Sequence, residues 1–290
     1  MKRLLLLAIV LFGAVNAWAE EGSKEFKKSF PAASINELTV TNRYGNIDVK
    51  QEGDEFSITT SVWVEAKTKA KVDEILEYIS ITAKEQGAVL NVETLFQKDM
   101  SLRQMFAGVT VSVDYHIKVP KGKKVRLVCT EGGASVADFV GDMNVEIVSG
   151  NFKANSVTGG EFSVKQNKGE FEVEKLGNMT AEFKSCKVKI GEGKEMKLGE
   201  LNVRNINFSF ATVDVKGSST KVGLTFMEGC GYTLELARNK NLKVELPEGV
   251  TLENKPTTDK NTVLETGFIG NKKYAVKVNL NLSGGSLFIQ

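Results

Sequence analysis

The chain has 290 residues, 38 Lys and Arg against 36 Asp and Glu, and a formal net charge of +2. That length suits one large or two small domains with ample core material, and the near-neutral balance excludes a general electrostatic pull toward nucleic acid or anionic lipid. One His, three Cys and the lack of any H-E-x-x-H, P-loop or G-x-S-x-G pattern exclude His-rich metal sites and the commonest nucleotide and hydrolase motifs.

The chain opens with basic Lys2 and Arg3 and an apolar run from Leu4 to Val15, then Ala17-Trp18-Ala19 with small residues at the two places a signal peptidase reads. The apolar run is too short to span a bilayer comfortably. We read residues 1–19 as a signal peptide cleaved after Ala19, so the mature protein is exported to the periplasm or the cell surface. Losing Lys2 and Arg3 takes the 38 basic residues to 36, equal to the 36 acidic ones.

Residues 20–34 are polar and Lys/Glu-rich and read as a flexible tether. From residue 35 to 119 alternation of apolar and polar residues predicts strands: Leu38/Val40, Ile47/Val49, Phe56 to Val64, Ile79/Ile81, Val89 to Leu95, and Val109 to Val119. One segment departs from period two. Val72, Ile75, Leu76 and Ile79 fall at i, i+3, i+4 and i+7, which predicts a short amphipathic helix from Thr68. A second helical candidate is Ser101 to Ala107, with Leu102, Met105 and Phe106 on one side. Both are short enough to need docking on a sheet.

Residues 120–216 repeat themselves. Units begin at Lys123, Gly141, Gly160, Gly177 and Gly199, at spacings of 18, 19, 17 and 22 residues. Each carries two short apolar columns around a turn residue, as in Met143/Val145/Gly150/Phe152/Ala154. Cys186 and Phe208 replace the turn glycine, so bulges are expected there. Further copies lie at Leu38 to Val49 and at Val278 to Ile289. Residues 217–290 form degenerate copies, with Leu242 to Leu246 as a strand, a loop around Asn254 to Lys260, and closing strands at Ala275–Leu282 and Ser286–Ile289. No unit can bury its apolar face alone, which points to stacked repeats, a solenoid over 35–290; a sandwich of hairpins is the alternative. Charge columns favour stacking. Glu146, Lys165, Glu182 and Arg204 alternate in sign from copy to copy, as do Lys153, Glu172 and Lys189. In-register parallel strands would set each opposite its complement about 4.8 Å away.

No catalytic, cofactor-binding or metal-binding residue is assigned, and no cofactor is expected. His116 reads as a structural strand residue. Cys129 reads as a small inward hydrophobe, and with Cys186 and Cys230 the odd count leaves at least one thiol outside any intramolecular disulfide. Gly191-Glu192-Gly193 and Gly229-Cys230-Gly231 read as turns, since neither opens a helix that could hold phosphate. The basic run Lys118, Lys121, Lys123, Lys124 and Arg126 offers a surface for acidic glycans or lipopolysaccharide, against a plain solvated turn. Asp138 and Asp142 fall short of the oxygens that calcium needs. Trp63 and Tyr44 are candidates for sugar stacking or for packing.

The run Thr41 to Val49 (TNRYGNIDV), the helix near residue 70, Val113 to Pro120 (VDYHIKVP), the Gly-punctuated repeats and the closing Gly284 to Ile289 (GGSLFI) together resemble the bacterial putative-adhesin β-strand-repeat family. The resemblance covers nearly the whole mature chain. It implies a right-handed single-stranded β-helix and supplies no catalytic residues. The resulting expectation is an all-β, non-enzymatic, exported protein that presents an adhesin-like or scaffolding surface to an envelope or host glycan or protein. The alternatives are a periplasmic sensor that docks a membrane-bound regulator through either short helix, and a β-helix carbohydrate-active enzyme with unpaired carboxylates on adjacent rungs.

Overall fold

The computed structural model describes residues 19–97, 107–184, 186–190, 200–207, 212–226, 231–270 and 275–289. The expected signal peptide (all but Ala19), the Ser101–Ala107 helix (all but Ala107), the Gly191–Gly193 turn, Phe208 and Cys230 lie outside them. The chain is all-β with one helix. In order, the strands are β1 (Glu20–Pro31), β2 (Glu37–Gln51) and β3 (Glu55–Ala66), then helix α1 (Lys69–Tyr78), β4 (Ile79–Gln86), β5 (Val89–Phe96) and β6 (Thr110–Val119). The long strands β7 (Lys124–Val140), β8 (Met143–Gln166) and β9 (Gly169–Lys184) follow, with β10 (Cys186–Ile190), β11 (Glu200–Asn207) and β12 (Thr212–Phe226). The chain ends in β13 (Gly231–Asn239), β14 (Lys243–Glu245), β15 (Glu253–Lys255), β16 (Thr262–Gly270) and β17 (Ala275–Ile289).

Successive sequence copies pair in parallel and in register. In one ladder Leu38 faces Val125, Val125 faces Met143, Phe162 faces Met179, and Met179 faces Leu201. In the other, Ile47, Ala134, Phe152, Phe171 and Val188 stand opposite one another in turn. The long strands supply both ladders because they turn at glycines: Gly45 faces Gly132, which faces Gly150. A Cβ on Gly132 would overlap the carbonyl of Gly45, and one on Gly150 that of Gly132. Both have positive φ, +140° and +154°, a region that glycine enters without steric cost. Cys186, standing in the same column, pairs with Gly169 without the expected bulge; register slips occur instead between Val157 and Glu161 and between Val203 and Asn207.

The two ladders share one core. Phe152 and Phe171 of one stack with centroids 5.2 Å apart, and Phe162 of the other lies 5.6 Å from Phe152. All three are buried. Around them Leu38, Val40, Leu127, Val145 and Val173 fill the inward positions that the alternation assigns.

Two expectations fail. The sheet is mixed and is not the uniform solenoid expected over 35–290. A stack of parallel strands leaves backbone donors and acceptors unpaired at each end, and this chain pairs them with antiparallel strands. On the N-terminal side β6 pairs with β3 and β3 with β1, while β5 pairs with β4. On the C-terminal side β13 pairs with β16 and β16 with β15. The second failure is the tether at 20–34, most of which is β1, registered over twelve residues with β3. Phe30 is buried and Phe26 packs on the core, and that apolar contact holds a strand whose other residues are mostly charged. Gly22 makes room for the helix, since a Cβ there would lie 2.5 Å from Val72 Cγ1.

Helix α1 matches its expected range closely. Thr68 caps it, its hydroxyl accepting from Lys71 N at 3.3 Å. Val72 and Ile75 are fully buried against the sheet, worth about 1.5–3 kcal/mol each. At the other end Lys24 of β1 donates its ammonium to the carbonyls of Leu76 and Ile79, groups with no partner inside the helix. Burial of Lys24 lowers its pKa, against a smaller opposing pull from Glu77.

A candidate binding surface

Outward positions of the second ladder form one polar row across the sheet. Thr59 faces His116, which faces Asp48, then Ser135, Lys153, Glu172 and Lys189. The backbone register continues through Asp214, Asn279, Glu235 and Thr266. Parallel strands in register place equivalent positions on one line, which sets the row from His116 to Glu235, and antiparallel pairing adds Thr59 and Thr266 at its ends.

Members of the row hold one another. His116 Nδ1 lies 3.6 Å from Asp48 Oδ2, and Ser135 donates to Asp48 Oδ1 at 2.8 Å. Glu172 sits between Lys153 at 3.5 Å and Lys189 at 3.3 Å. Burial pushes the Glu172 carboxyl up, but the hydrogen bond and charge of Lys189, together with Lys153, outweigh it and hold its pKa below the usual value. Ser135 donates to the carboxylate and not to His116, so the pairing that activates a serine nucleophile is not the one made.

Neighbouring rows behave alike. Asp114 accepts from Asn46 N and Ser112 Oγ, both at 2.8 Å. Ser156 donates to Asp138 at 2.6 Å. Asp142 meets Lys124 at 2.8 Å and accepts from Glu161 N at 3.1 Å; the Lys124 hydrogen bond lowers its pKa and in return raises that of Lys124. Asp138 and Asp142 are thus engaged with a hydroxyl and an ammonium, and no cluster of three metal-ligating side chains occurs among the described residues. The basic run is dispersed in the same way. Lys118 meets Glu52 at 2.7 Å, Lys123 donates to Ala32 O at 2.7 Å, and Arg126 lies 3.6 Å from Glu146.

The remaining candidates are structural. Tyr44 packs edge-on to Phe96 at 5.7 Å with Arg43 over its ring, and Trp63 donates to Glu21 at 3.4 Å. Cys129 and Cys186 are buried thiols directed at the carbonyls of Gly45 and Gln166, and burial pushes the Cys129 pKa up to about 11. Two features escape the sequence reading. One is a buried polar network in which Asn42 Nδ2 donates to Val113 O at 2.7 Å, Thr94 Oγ1 donates to Asn42 at 3.2 Å, and Thr94 meets Tyr115 at 2.6 Å. Its only signal is a polar residue, Asn42, at an inward phase. The other is a depression of about 180 Å³ where the polar row reaches β13, β16 and β17.

The sequence matches no family model and no curated protein. It is similar to solved structures of a putative adhesin from Bacteroides fragilis NCTC 9343 (10% identity, 92% of this chain and 97% of that one, TM-score 0.42) and a putative adhesin from Parabacteroides distasonis ATCC 8503 (12%, 92% and 97%, 0.36). A putative cell adhesion protein from Clostridium sporogenes ATCC 15579 is also similar (10%, 92% and 99%, 0.25). The names agree with the resemblance drawn from the motifs. At these identities and TM-scores no residue role passes from those proteins to this one.

Proposed function

We propose that this chain is an exported, non-enzymatic protein whose outward polar rows serve as an adhesin-like binding or scaffolding surface in the bacterial cell envelope. The observation that carries the reading is the row from His116 to Lys189, in which the acids, bases and hydroxyls are committed to each other. A glycosidase needs two carboxyl groups set apart for acid and base or nucleophile work; here the carboxylate at the centre of the row lies between two ammonium groups. The strands hold these groups at fixed spacing, which suits repeated polar contacts to an extended partner. Helix α1 buries Val72 and Ile75, which favours its role as a cover for β1 and β3 over a dock for a membrane-bound regulator. No helix among the described residues is long and apolar enough to cross a membrane.

Two measurements test the proposal. Intact cells that carry the native protein are treated with an impermeant protease, and the purified mature chain is assayed for binding to isolated envelope and extracellular polysaccharide fractions. Saturable binding that weakens when Asp48, Lys153 and Glu172 are all changed to Ala supports it. Turnover of any of those fractions, or no binding to any, overturns it. Cleavage on intact cells assigns the protein to the surface, and protection until the outer membrane is opened assigns it to the periplasm.

A further inference from the structure

The depression at the C-terminal end of the row is built by one small residue among larger ones. Ala237 of β13 stands opposite Asn281 of β17 on one side and Leu264 of β16 on the other. Glu235, two residues earlier on the same face, stands opposite Asn279. These side chains, with Leu280 beneath, enclose about 180 Å³ that opens to solvent. Lys255 and Lys277 approach Glu235 at 3.9 and 3.8 Å.

We infer that this depression binds a single pyranose ring of a glycan, an assignment that rests on the binding-surface reading above and narrows it to a ligand class. Three features select that ligand. The volume is below the roughly 300–1,000 Å³ of drug-sized sites, so one ring is accommodated and a longer ligand must leave along the surface. The lining pairs the apolar side chains of Ala237 and Leu264, suited to the C–H face of a sugar, with the Glu235 carboxylate and the exposed Asn281 amide, which accept from and donate to ring hydroxyls. The two ammonium groups that flank Glu235 outnumber it and add donors for ring hydroxyls at the edge of the depression. Because the strand geometry places Glu235 and Asn279 in the row that starts at Thr59, a glycan seated here can continue over Lys189 and Glu172.

The test is saturation-transfer NMR of the full mature chain with neutral methyl pyranosides: the glucoside, galactoside, mannoside and N-acetylglucosaminide. At least one gives transfer, and Asn281→Ala weakens it about tenfold, the loss of one or two hydrogen bonds. Ala237→Phe fills the space and abolishes transfer; Asn281→Arg, at an exposed position, does the same without loading β13 if the first variant does not fold. Transfer from none of the four sugars, or transfer unchanged in the filled variants, overturns the assignment. If whole envelope polysaccharide still binds in that case, the broader surface reading stands and only the pyranose site falls.

Discussion

Gly150 lies so close to Gly132 that a Cβ on the first would overlap the carbonyl oxygen of the second. The same contact links Gly132 to Gly45 and Gly169 to Gly150. Backbone thus passes directly over backbone where the long strands leave one ladder for the other, and this contact lets both halves of each strand face a single core.

Gly150→Ala is expected to cost about 3 kcal/mol or more, because the methyl group has no space and the backbone sits at a φ that side chains avoid. Gly87→Ala is the control. Its φ is +60°, but a Cβ there meets nothing within 4 Å, so only the left-handed penalty of about 1 kcal/mol applies. Urea denaturation of both variants measures the difference.

Glu172 makes stability depend on pH. Its folded pKa lies below the usual carboxylate value, because Lys189 and Lys153 outweigh burial, so its contribution is present above the unfolded pKa of about 4.3. It is lost as pH falls through the folded value. Glu172→Gln should lower stability at pH 7 by about 0.5 kcal/mol, the modest worth of a partly exposed pair. The variant should also lose less stability than the parent between neutral and acid pH, as thermal melts across that range will show.

Arg238 and Glu265 form a bidentate pair at 2.7 and 2.9 Å with little solvent exposure, clamping β13 to β16. The Glu265 hydrogen bond raises the Arg238 pKa despite desolvation. Arg238→Met alone should cost about 3 kcal/mol by leaving a carboxylate without its partner. Adding Glu265→Leu should recover most of the loss, a coupling that a double-mutant cycle by urea denaturation quantifies.

Cys129 should be inert in the native protein. With its pKa near 11 and its side chain fully covered, the reactive thiolate is scarce and sheltered. In a Cys230→Ser background, an aromatic disulfide reagent at pH 8 should modify Cys129 and Cys186 only at the rate of unfolding, and then stoichiometrically in denaturant.

The parallel register of β8, β9 and β10 was legible because period and charge agreed: Lys153, Glu172 and Lys189 alternate in sign, and the structure sets them side by side. The helix was legible from Val72, Ile75 and Leu76. The antiparallel ends were not, since alternation is the same in strands of either direction. β1 was obscured by its charges, with only Phe26 and Phe30 to betray it. β16 was missed because Val263, Leu264 and Phe268 do not keep a strict period of two, a consequence of partial burial along most of its length. The depression depends on what β16 and β17 bring to Ala237, which no local pattern records.

The antiparallel ends also constrain how such a chain can change size. Copies within the parallel block touch chiefly their neighbours, so one can be gained or lost without disturbing either terminus, altering the span by about 4.8 Å. Lys153, Glu172 and Lys189 alternate in sign, however, so removing the copy that carries Glu172 would bring two ammonium groups face to face. At that place, growth or shrinkage by two strands preserves the alternation, whereas a change by one breaks it.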